Sequence, residues 1–358
     1  MIDTDNFIKA LIDNGYDNLC VVPCSFAKNL INSAINHGSK IDYVPCASEA
    51  IACSIAAGLK IAGKSPIVIA QSSGLTNMGS CITSLLSPYE IFFPIIVSWR
   101  TYKEGNSEVQ HKHLAKALPE LVNAYGYEFD VLSKDNLETA IDQIFKCNNS
   151  RKICILEQES FSKIDLNEEH KLDLSSFVPR GRYLEFLNWH FKESEILCIG
   201  TTGNTAREMY SLMPDTNNFY MAGNMGGALS VGLGACKGGR KVLVCGGDAE
   251  FVMHLGGLTT AGRYNNPELD LTYILFDNES NKSTGGQNTY QKHLDYIGIA
   301  QSSGIECYEL EIDNILEFSK AMDSMQKVLG IKFIYVKCSY DDEMPRPPIE
   351  KVVNFEFW

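Results

Sequence analysis

Apolar and polar positions follow two repeating patterns along the chain. Short runs of β-branched and aromatic residues predict strands at 19–22, 42–45, 67–70 and 92–99. Between them, apolar residues recur at the spacing of a helix face: Phe7, Ile8 and Leu11 belong to a predicted helix that Gly15 ends, and residues 49–62 predict another. Strands that alternate with helices indicate a parallel sheet buried on both faces.

A charged and polar stretch interrupts this alternation at about residues 160–181, and the alternation then resumes. The second part predicts strands at 196–199, 219–222, 242–245, 271–276 and 333–336, and helices at 251–264 and 314–328. We therefore predict an α/β protein with two doubly wound parallel-sheet domains, residues 1–160 and 183–358, and a linker at 161–182. Because such sheets bind ligands at the carboxyl ends of their strands, the loops that follow the strands are the candidate sites.

Composition narrows the classes of partner. The 358 residues carry a formal charge of −13, which disfavours general binding to nucleic acid or to an anionic membrane but leaves a small anionic substrate possible. No apolar run reaches the roughly 18 residues that a membrane span needs. The first residues lack the basic start and apolar run of a signal peptide, and the 12 cysteines include no Cys-x-x-Cys pair. We expect a cytoplasmic protein with reduced thiols.

The clearest candidate site follows two neighbouring strands of the second domain. Gly247-Asp248-Ala249 comes directly after one strand, and Asp277-Asn278 ends the next. Since both strands end at one edge of the sheet, Asp248 and Asn278 can offer a carboxylate and an amide oxygen to Mg²⁺, and phosphate oxygens can complete its coordination. The glycines allow a close approach by a diphosphate. Each motif alone also fits an ordinary tight turn.

Other loops at strand ends add candidates for cofactor binding: Thr202 and Gly203, then Gly223, Asn224 and Met225, and in the first domain Ser73 and Gly74. Glu49 begins an apolar helix, and its carboxylate fits two interpretations. It either stabilises the helix N-terminus or forms a partly buried acid that hydrogen-bonds a ring nitrogen.

Taken in order, these motifs resemble those of the thiamine diphosphate-dependent phosphonopyruvate decarboxylases and the related sulfopyruvate decarboxylases. The matches run from about residue 20 to 290 and include Ser48-Glu49-Ala50, Gly247-Asp248 and the string at 277–287. The resemblance implies a pyrimidine-binding domain followed by a diphosphate-binding domain. It implies that Glu49 contacts N1′ of the aminopyrimidine, and that Asp248, Asn278 and the backbone carbonyl of Ser280 hold Mg²⁺.

The resemblance implies decarboxylation of 3-phosphonopyruvate to phosphonoacetaldehyde and CO₂, in a homodimer or homotetramer with the cofactor at the subunit interface. Alternatives are sulfopyruvate, another 2-oxo acid, or a carboligating thiamine diphosphate enzyme. A dinucleotide-dependent oxidoreductase or a serine hydrolase is disfavoured because the Gly-x-Gly-x-x-Gly and Gly-x-Ser-x-Gly motifs are absent.

Candidates for binding the anionic tail of the substrate are Ser25, Arg100, Gln110, His111 and Lys282, and we expect the polar loop at 104–113 to act as a lid. The chain also departs from the family pattern. Ala249 replaces a glycine, Gly227 and Asn281 replace histidines, and Lys282 replaces an acid. Two imidazoles that could donate a proton near the cofactor are therefore missing. Lys282 is the candidate to supply a cation in their place.

Overall fold

The computed structural model describes residues 1–102, 109–340 and 344–347. They form two compact units. The first unit is Met1–Lys171 together with Asn281–Asn288, and the second is Leu172–Ser280 together with the described residues after Asn288. Each unit contains one six-stranded sheet whose strand pairs are all parallel. The predicted α/β class with two parallel sheets is confirmed.

The strands of the first unit lie in the order β2-β1-β3-β4-β6-β5. They are β1 (Asn18–Val21), β2 (Asp42–Pro45), β3 (Pro66–Gln71), β4 (Ile95–Ser98), β5 (Glu128–Val131) and β6 (Lys152–Leu156). The central strands β1 and β4 are buried along their whole length, because helices cover both faces of the sheet.

The helices of the first unit follow the strands. They are α1 (Thr4–Asp13), α2 (Lys28–Asn36), α3 (Glu49–Ile61), α4 (Ser72–Asn77), α5 (Gly79–Cys81), α6 (Ser87–Tyr89), α7 (Lys112–Ala124) and α8 (Leu137–Cys147). A π-helical turn at Ile82–Leu86 joins α5 to α6, and short 3₁₀ turns lie at Ser25–Ala27, Val109–His111 and Glu168–His170. As the sequence predicts, α1 buries Phe7, Ile8 and Leu11 in the core.

The strands of the second unit lie in the order β11-β12-β10-β9-β7-β8. They are β7 (Leu197–Gly200), β8 (Asn217–Tyr220), β9 (Val242–Gly247), β10 (Asp270–Asp277), β11 (Glu306–Cys307) and β12 (Gly330–Lys337). The helices are α9 (Arg180–His190), α10 (Asn204–Leu212), α11 (Ala228–Lys237), α12 (Asp248–Met253), α13 (Gly256–Tyr264), α14 (Tyr296–Ser302) and α15 (Ile315–Met325).

One predicted helix is wrong. The pattern predicts a single helix over 251–264, whereas the structure has α12 and α13 with a break between them. His254 leaves helical geometry at φ −124° and ψ 51°, and two glycines follow at 256 and 257. Glycine weakens a helix because its backbone loses more freedom on ordering, so the chain turns there instead of continuing.

Residues 281–288 belong with the first unit, although they lie inside the predicted second domain. The carbonyl of Asn281 accepts bonds from the backbone N–H groups of Thr284, Gly285 and Gly286, which closes a compact loop. Gln287 is fully buried, and its Nε2 donates to Oδ1 of Asn32 at 2.8 Å. The units therefore cannot be separated by a single cut in the sequence, and the predicted domain boundaries stay a prediction.

All 12 cysteines lie in the described residues as free thiols. No helix in residues 1–102, 109–340 or 344–347 is both long and apolar enough to cross a membrane.

Candidate functional site

Glu49 is the first residue of α3 and is buried, with 3% of its surface exposed. Ser48 caps the helix, and its Oγ accepts a bond from the backbone N–H of Ile51. The Glu49 side chain makes a different contact: its Oε2 accepts a hydrogen bond from Nδ2 of Asn77 at 2.8 Å. The cap is thus supplied by Ser48, which leaves the Glu49 carboxylate available for another role.

The short helix α4, which follows β3 and contains the predicted residues Ser73 and Gly74, lies against this carboxylate. An added Cβ at Gly74 would lie 2.5 Å from Cγ and Oε1 of Glu49, so only glycine leaves space for the acid. Ser73 is half-buried one residue earlier, and its carbonyl accepts a bond from the hydroxyl of Thr76. The first unit therefore contains a buried carboxylate, that of Glu49, which fits into the space left by Gly74 and accepts a hydrogen bond from the side-chain amide of Asn77.

A second group of polar residues lies at the ends of β1 and β4 in the same unit. Arg100 is buried, and its guanidinium donates to Oγ of Ser25 and lies 4.6 Å from the ring centre of Phe26. Cys24 and Ser98 are 3.0 Å apart between Sγ and Oγ beside it. The structure thus brings together two of the residues predicted to bind the anionic tail, Ser25 and Arg100.

The other predicted tail-binding residues, Gln110, His111 and Lys282, lie in turns and loops of the same unit. Gln110 and His111 are half-buried in the 3₁₀ turn before α7, which is tied to the end of β4 because Nε1 of Trp99 donates to the carbonyl of Ala115. Lys282 is half-buried in the 281–288 loop of the same unit. The predicted lid at 104–113 lies outside the described residues up to position 108.

In the second unit, parallel pairing brings two predicted metal-binding residues to one sheet edge. Leu275 and Phe276 of β10 pair with Gly246 and Gly247 of β9, so Asp248 and the residues after Asp277 emerge side by side. Thr289 links them: its Oγ1 donates to Oδ2 of Asp248 at 3.0 Å, and its backbone N–H donates to the carbonyl of Glu279. Oδ1 of Asn278 accepts from the N–H of Ser280.

This edge fits a divalent cation. Asp248 is buried, and burial together with the nearby charge of Asp277 raises the pKa of Asp248 to about 8, so a cation bound beside this carboxylate would offset the cost of ionising it. In the described part of the chain, no group of three or more His, Cys, Asp or Glu could hold a metal. A cation here therefore needs amide, backbone and phosphate oxygens as well, which is the coordination that Mg²⁺ prefers.

Two further loops reach the same sheet edge from β7 and β8. Thr202 is half-buried and donates to the carbonyl of Ala222, and Gly203 adopts a left-handed φ of 94° before α10. Gly223, Asn224 and Met225 precede α11, and Asn224 has a φ of 59°. These loops are linked to each other through the Thr202 bond, so the predicted diphosphate-binding residues lie in adjacent loops.

The structure also explains one departure from the family pattern. A Cβ at Gly227 would lie 2.3 Å from Nδ2 and 3.0 Å from the carbonyl oxygen of Asn224, so a histidine at 227 would require the Asn224 side chain to move. A Cβ at Gly226 would lie 2.7 Å from Cγ of His254. An imidazole therefore does lie against this loop, contributed by the break between α12 and α13, and the sequence pattern did not single it out.

Sequence reasoning also missed several supporting residues. Glu250 is buried, accepts bonds from the hydroxyl of Tyr273 and the N–H of Ala228, and has a pKa that burial raises to about 6. It thereby connects α12 to the start of α11. Ala249 is half-buried between Asp248 and Glu250, where its small side chain leaves this arrangement intact. The only advance sign of Glu250 was its position two residues after Asp248.

Comparison with known proteins agrees with this geometry. Residues 4–113 match the family described as "Thiamine pyrophosphate enzyme, N-terminal TPP binding domain", and residues 199–336 match "Thiamine pyrophosphate enzyme, C-terminal TPP binding domain". The two matches contain Glu49 and the Asp248–Asn278 edge, respectively.

Named relatives match most of the chain. Phosphonopyruvate decarboxylase of Streptomyces viridochromogenes is 31% identical over 323 residues, which covers 85% of this chain and 80% of that protein. The enzyme of the same name from Streptomyces hygroscopicus is 30% identical with the same coverage. Sulfopyruvate decarboxylase of Methanosarcina acetivorans is 26% identical over 84% of this chain and 82% of its own length. The chain therefore belongs to the thiamine pyrophosphate enzymes and, within them, to the family of the phosphonopyruvate and sulfopyruvate decarboxylases.

Proposed function

We propose that this protein uses thiamine diphosphate and Mg²⁺ to decarboxylate a 2-oxo acid with a small anionic tail, and that the substrate is 3-phosphonopyruvate, giving phosphonoacetaldehyde and CO₂. The observation that carries the proposal is the buried Arg100 guanidinium, hydrogen-bonded to Ser25. The names of the relatives with 31% and 30% identity support the same substrate.

When bound, thiamine diphosphate supplies the electron sink that a 2-oxo acid needs in order to lose CO₂. Asp248, Asn278 and the carbonyl of Ser280 would hold the cation, and the loops at Thr202–Gly203 and Gly223–Met225 would hold the diphosphate through backbone N–H groups. Glu49 would contact the pyrimidine ring and hold a proton at its nitrogen, with Asn77 fixing the carboxylate.

Arg100 would bind the anionic tail. Its planar guanidinium presents several N–H donors in a fixed arrangement that suits phosphonate oxygens, and the Ser25 hydroxyl adds a further polar group beside it. Stacking on Phe26 and burial beside Cys24 hold the guanidinium in one position. Gln110, His111 and Lys282 complete the proposed set of tail-binding residues in the same unit.

Sulfopyruvate is the second candidate substrate, because the M. acetivorans relative carries that name. A sulfonate has one fewer negative charge than a fully ionised phosphonate but offers the same three-oxygen geometry to Arg100. The residues described here bind either tail, so the ratio of kcat/KM values decides between them.

We also propose that the enzyme is a homodimer or homotetramer in which Glu49 of one subunit and Asp248 of another serve one cofactor. Ile51 and Ile55, one turn apart on α3 directly after Glu49, are exposed, which supports an apolar contact between subunits at this helix.

The decisive experiment measures CO₂ release by the protein with thiamine diphosphate and Mg²⁺ on phosphonopyruvate, sulfopyruvate and pyruvate, and identifies each product. We expect phosphonopyruvate to have the highest kcat/KM. Arg100→Met should lower kcat/KM for phosphonopyruvate by about 10²-fold, the value of one charge-assisted contact, with a much smaller effect on pyruvate. Activity on pyruvate alone, or an aldehyde-acceptor adduct as the main product, would overturn the proposal.

A further inference from the structure

The turn that follows β10 has an unusual backbone. Glu279, between Asn278 and Ser280, has a φ of 52°, in the left-handed region that side chains other than glycine and asparagine rarely adopt. Such a residue persists only where its surroundings hold it there. One contact is local: Oδ1 of Asp277 accepts a bond from the Glu279 N–H at 2.9 Å. The turn that carries two proposed Mg²⁺ ligands therefore needs further support.

Lys337 supplies the strongest of these contacts. It is the last residue of β12, pairs with Asp277 across the sheet, and is 7% exposed. Its Nζ lies 2.6 Å from Oε1 of Glu279 and 2.9 Å from Oδ2 of Asp277, so one ammonium group holds both side chains of the turn. The hydroxyl of Tyr335 adds a bond to Asp277 at 2.8 Å.

The contact of Lys337 with Asp277 and Glu279 is important because this edge of the sheet contains several buried acids. Asp248, Asp277 and Glu279 are all buried. Lys337 is the buried cation beside two of these acids, while Lys292, which contacts the other oxygen of Glu279 at 3.2 Å, has a side chain 70% exposed. Buried ion pairs that lose one partner leave an uncompensated charge, which costs far more than loss of a surface pair.

We propose that Lys337 is a positioning residue for the metal: by holding Asp277 and Glu279 together, it fixes the turn at 277–280 so that Asn278 and Ser280 present their oxygens to Mg²⁺. The inference rests on the Mg²⁺ site of the proposed function. It assigns no contact between Lys337 and the cation, since a lysine ammonium repels Mg²⁺ and acts here only through the two acids.

The chain offers a matched control. Lys332 lies on the same strand and is 2% exposed. Its ammonium group forms a salt bridge with Asp270, whose side chain is 46% exposed, near the amino-terminal ends of β10 and β12 and thus away from the 277–280 turn. Lys332→Met removes a buried lysine and an ion pair from β12 without touching the 277–280 turn. It therefore reports the cost of a purely structural change in this strand.

The experiment measures Mn²⁺ binding in the presence of thiamine diphosphate by the electron paramagnetic resonance signal of free Mn²⁺, together with the melting temperature of each variant. We expect Lys337→Met to raise the Kd for Mn²⁺ by about 10- to 100-fold, as loss of supporting contacts around metal ligands does. Lys332→Met should leave it unchanged, and Lys337→Arg, which keeps the charge, should recover most of the affinity.

A second pair of variants tests the same role through the backbone of residue 279, and Lys337→Gln, which keeps a polar side chain but removes the charge, replaces Lys337→Met in both backgrounds if Lys337→Met folds poorly. Glycine adopts a positive φ without strain, so in a Glu279→Gly background the turn no longer needs Lys337 to hold residue 279. We expect Lys337→Met to raise the Mn²⁺ Kd by a smaller factor in that background than in the wild type.

The outcomes separate the two proposals. If the wild type binds no Mn²⁺ with thiamine diphosphate, the proposed metal site itself is wrong. If the wild type binds Mn²⁺ but Lys337→Met and Lys332→Met have equal affinities, or the Lys337→Met effect is unchanged in the Glu279→Gly background, the positioning role of Lys337 is overturned.

Discussion

Glu49 is the residue whose chemistry can be isolated most cleanly by substitution. Glu49→Gln keeps an oxygen that accepts the bond from Asn77, and Ser48 remains the cap, so the free energy of unfolding should change by no more than about 1 kcal/mol. Because the amide cannot hold or transfer a proton at the pyrimidine, we expect kcat to fall by about 10²- to 10⁴-fold. Steady-state kinetics and thermal unfolding check both values.

Glu138→Gln is the control for this substitution, since Glu138 also lies in the first turn of a helix but is exposed. It should leave kcat unchanged. Equal loss of activity in the two variants, or wild-type kcat in Glu49→Gln, would contradict a catalytic role for Glu49.

Gly74 tests the same acid without changing any charge. In Gly74→Ala the added methyl group would meet the Glu49 side chain at 2.5 Å, so the carboxylate must move away from its position beside Asn77. We expect kcat/KM to fall by about 10-fold or more, because catalytic geometry tolerates little displacement. The measurement is kcat/KM at saturating thiamine diphosphate and Mg²⁺.

Gly234→Ala is the comparison for Gly74→Ala. Gly234 lies in α11 with no atom within 4 Å of an added Cβ, and alanine favours a helix over glycine by about 1 kcal/mol. Activity should therefore be retained and stability should be unchanged or raised. If Gly74→Ala is as active as Gly234→Ala, Glu49 does not need its observed position.

At this scale the sequence predicted residues but not their partners. Asp248 and Asn278 could be inferred because each directly follows a strand, and a parallel sheet brings those positions to one edge. The supporting contacts come from distant parts of the chain. Asn77 bonds Glu49 across 28 residues, and Thr289 bonds Asp248 across 41 residues. Lys337 bonds Glu279 of the 277–280 turn across 58 residues. No local pattern encodes such contacts, since they depend on the packed tertiary structure.

At the scale of the elements, the sheet edge formed by β9 and β10 leads to a prediction of how much bound metal stabilises the protein. Ligands that bind only the folded protein stabilise it, so Mg²⁺ with thiamine diphosphate should stabilise the wild type by about 2.7 kcal/mol at 100 times Kd. Burial raises the pKa of Asp248, so its charge is costly in the absence of a cation. Asp248→Asn removes the charge and should abolish most of this stabilisation, while the metal-free variant should be at least as stable as the metal-free wild type. Thermal unfolding with and without Mg²⁺ and thiamine diphosphate measures the stabilisation by the ligands and the stability of each ligand-free protein.

Glu250→Gln would be a poor control here because Glu250 supports α11, whereas Asp3→Asn is suitable. Asp3 caps α1 in the first unit, and asparagine caps a helix about as well as aspartate, so this substitution should leave the stability nearly unaltered with or without Mg²⁺. Retention of the full Mg²⁺ effect in Asp248→Asn would show that the cation binds elsewhere.

The strands that the sequence pattern missed differ in kind. β5 (Glu128–Val131) carries alternating acidic residues and lies at the edge of its sheet, so it is exposed or half-buried and lacks an apolar run. β11 has only two residues, Glu306–Cys307, which is too short for any periodicity. β6 (Lys152–Leu156) is an apolar run that the prediction omitted, although its pattern is that of a buried strand. Apart from β6, the strands inside both sheets were predicted, because burial on both faces demands continuous apolar sequence.

For the whole molecule, the proposed sharing of one cofactor between subunits can be tested by complementation. Glu49→Gln and Asp248→Asn should each be inactive alone. If the dimer builds each site from two subunits, a heterodimer of these variants contains one site with both wild-type residues and one with neither, so it should recover about half of wild-type activity. Co-expression with two affinity tags isolates the mixed species for kinetic measurement.

The tagged homodimers of each variant, purified in the same way, provide the baseline. Activity of the mixed species no higher than this baseline would mean that Glu49 and Asp248 of the same subunit serve one cofactor, or that no assembly forms; light scattering of the wild type separates the two cases.

The assignment of residues 281–288 to the first unit has a practical consequence for dissecting the protein. A fragment that stops at Lys171 would lack Gln287, which would leave the buried Asn32 without its amide partner. Recombinant halves made by cutting at 171 should therefore be poorly soluble when produced separately. Adding back a synthetic peptide that spans 281–288 is the simplest way to rescue the amino-terminal fragment.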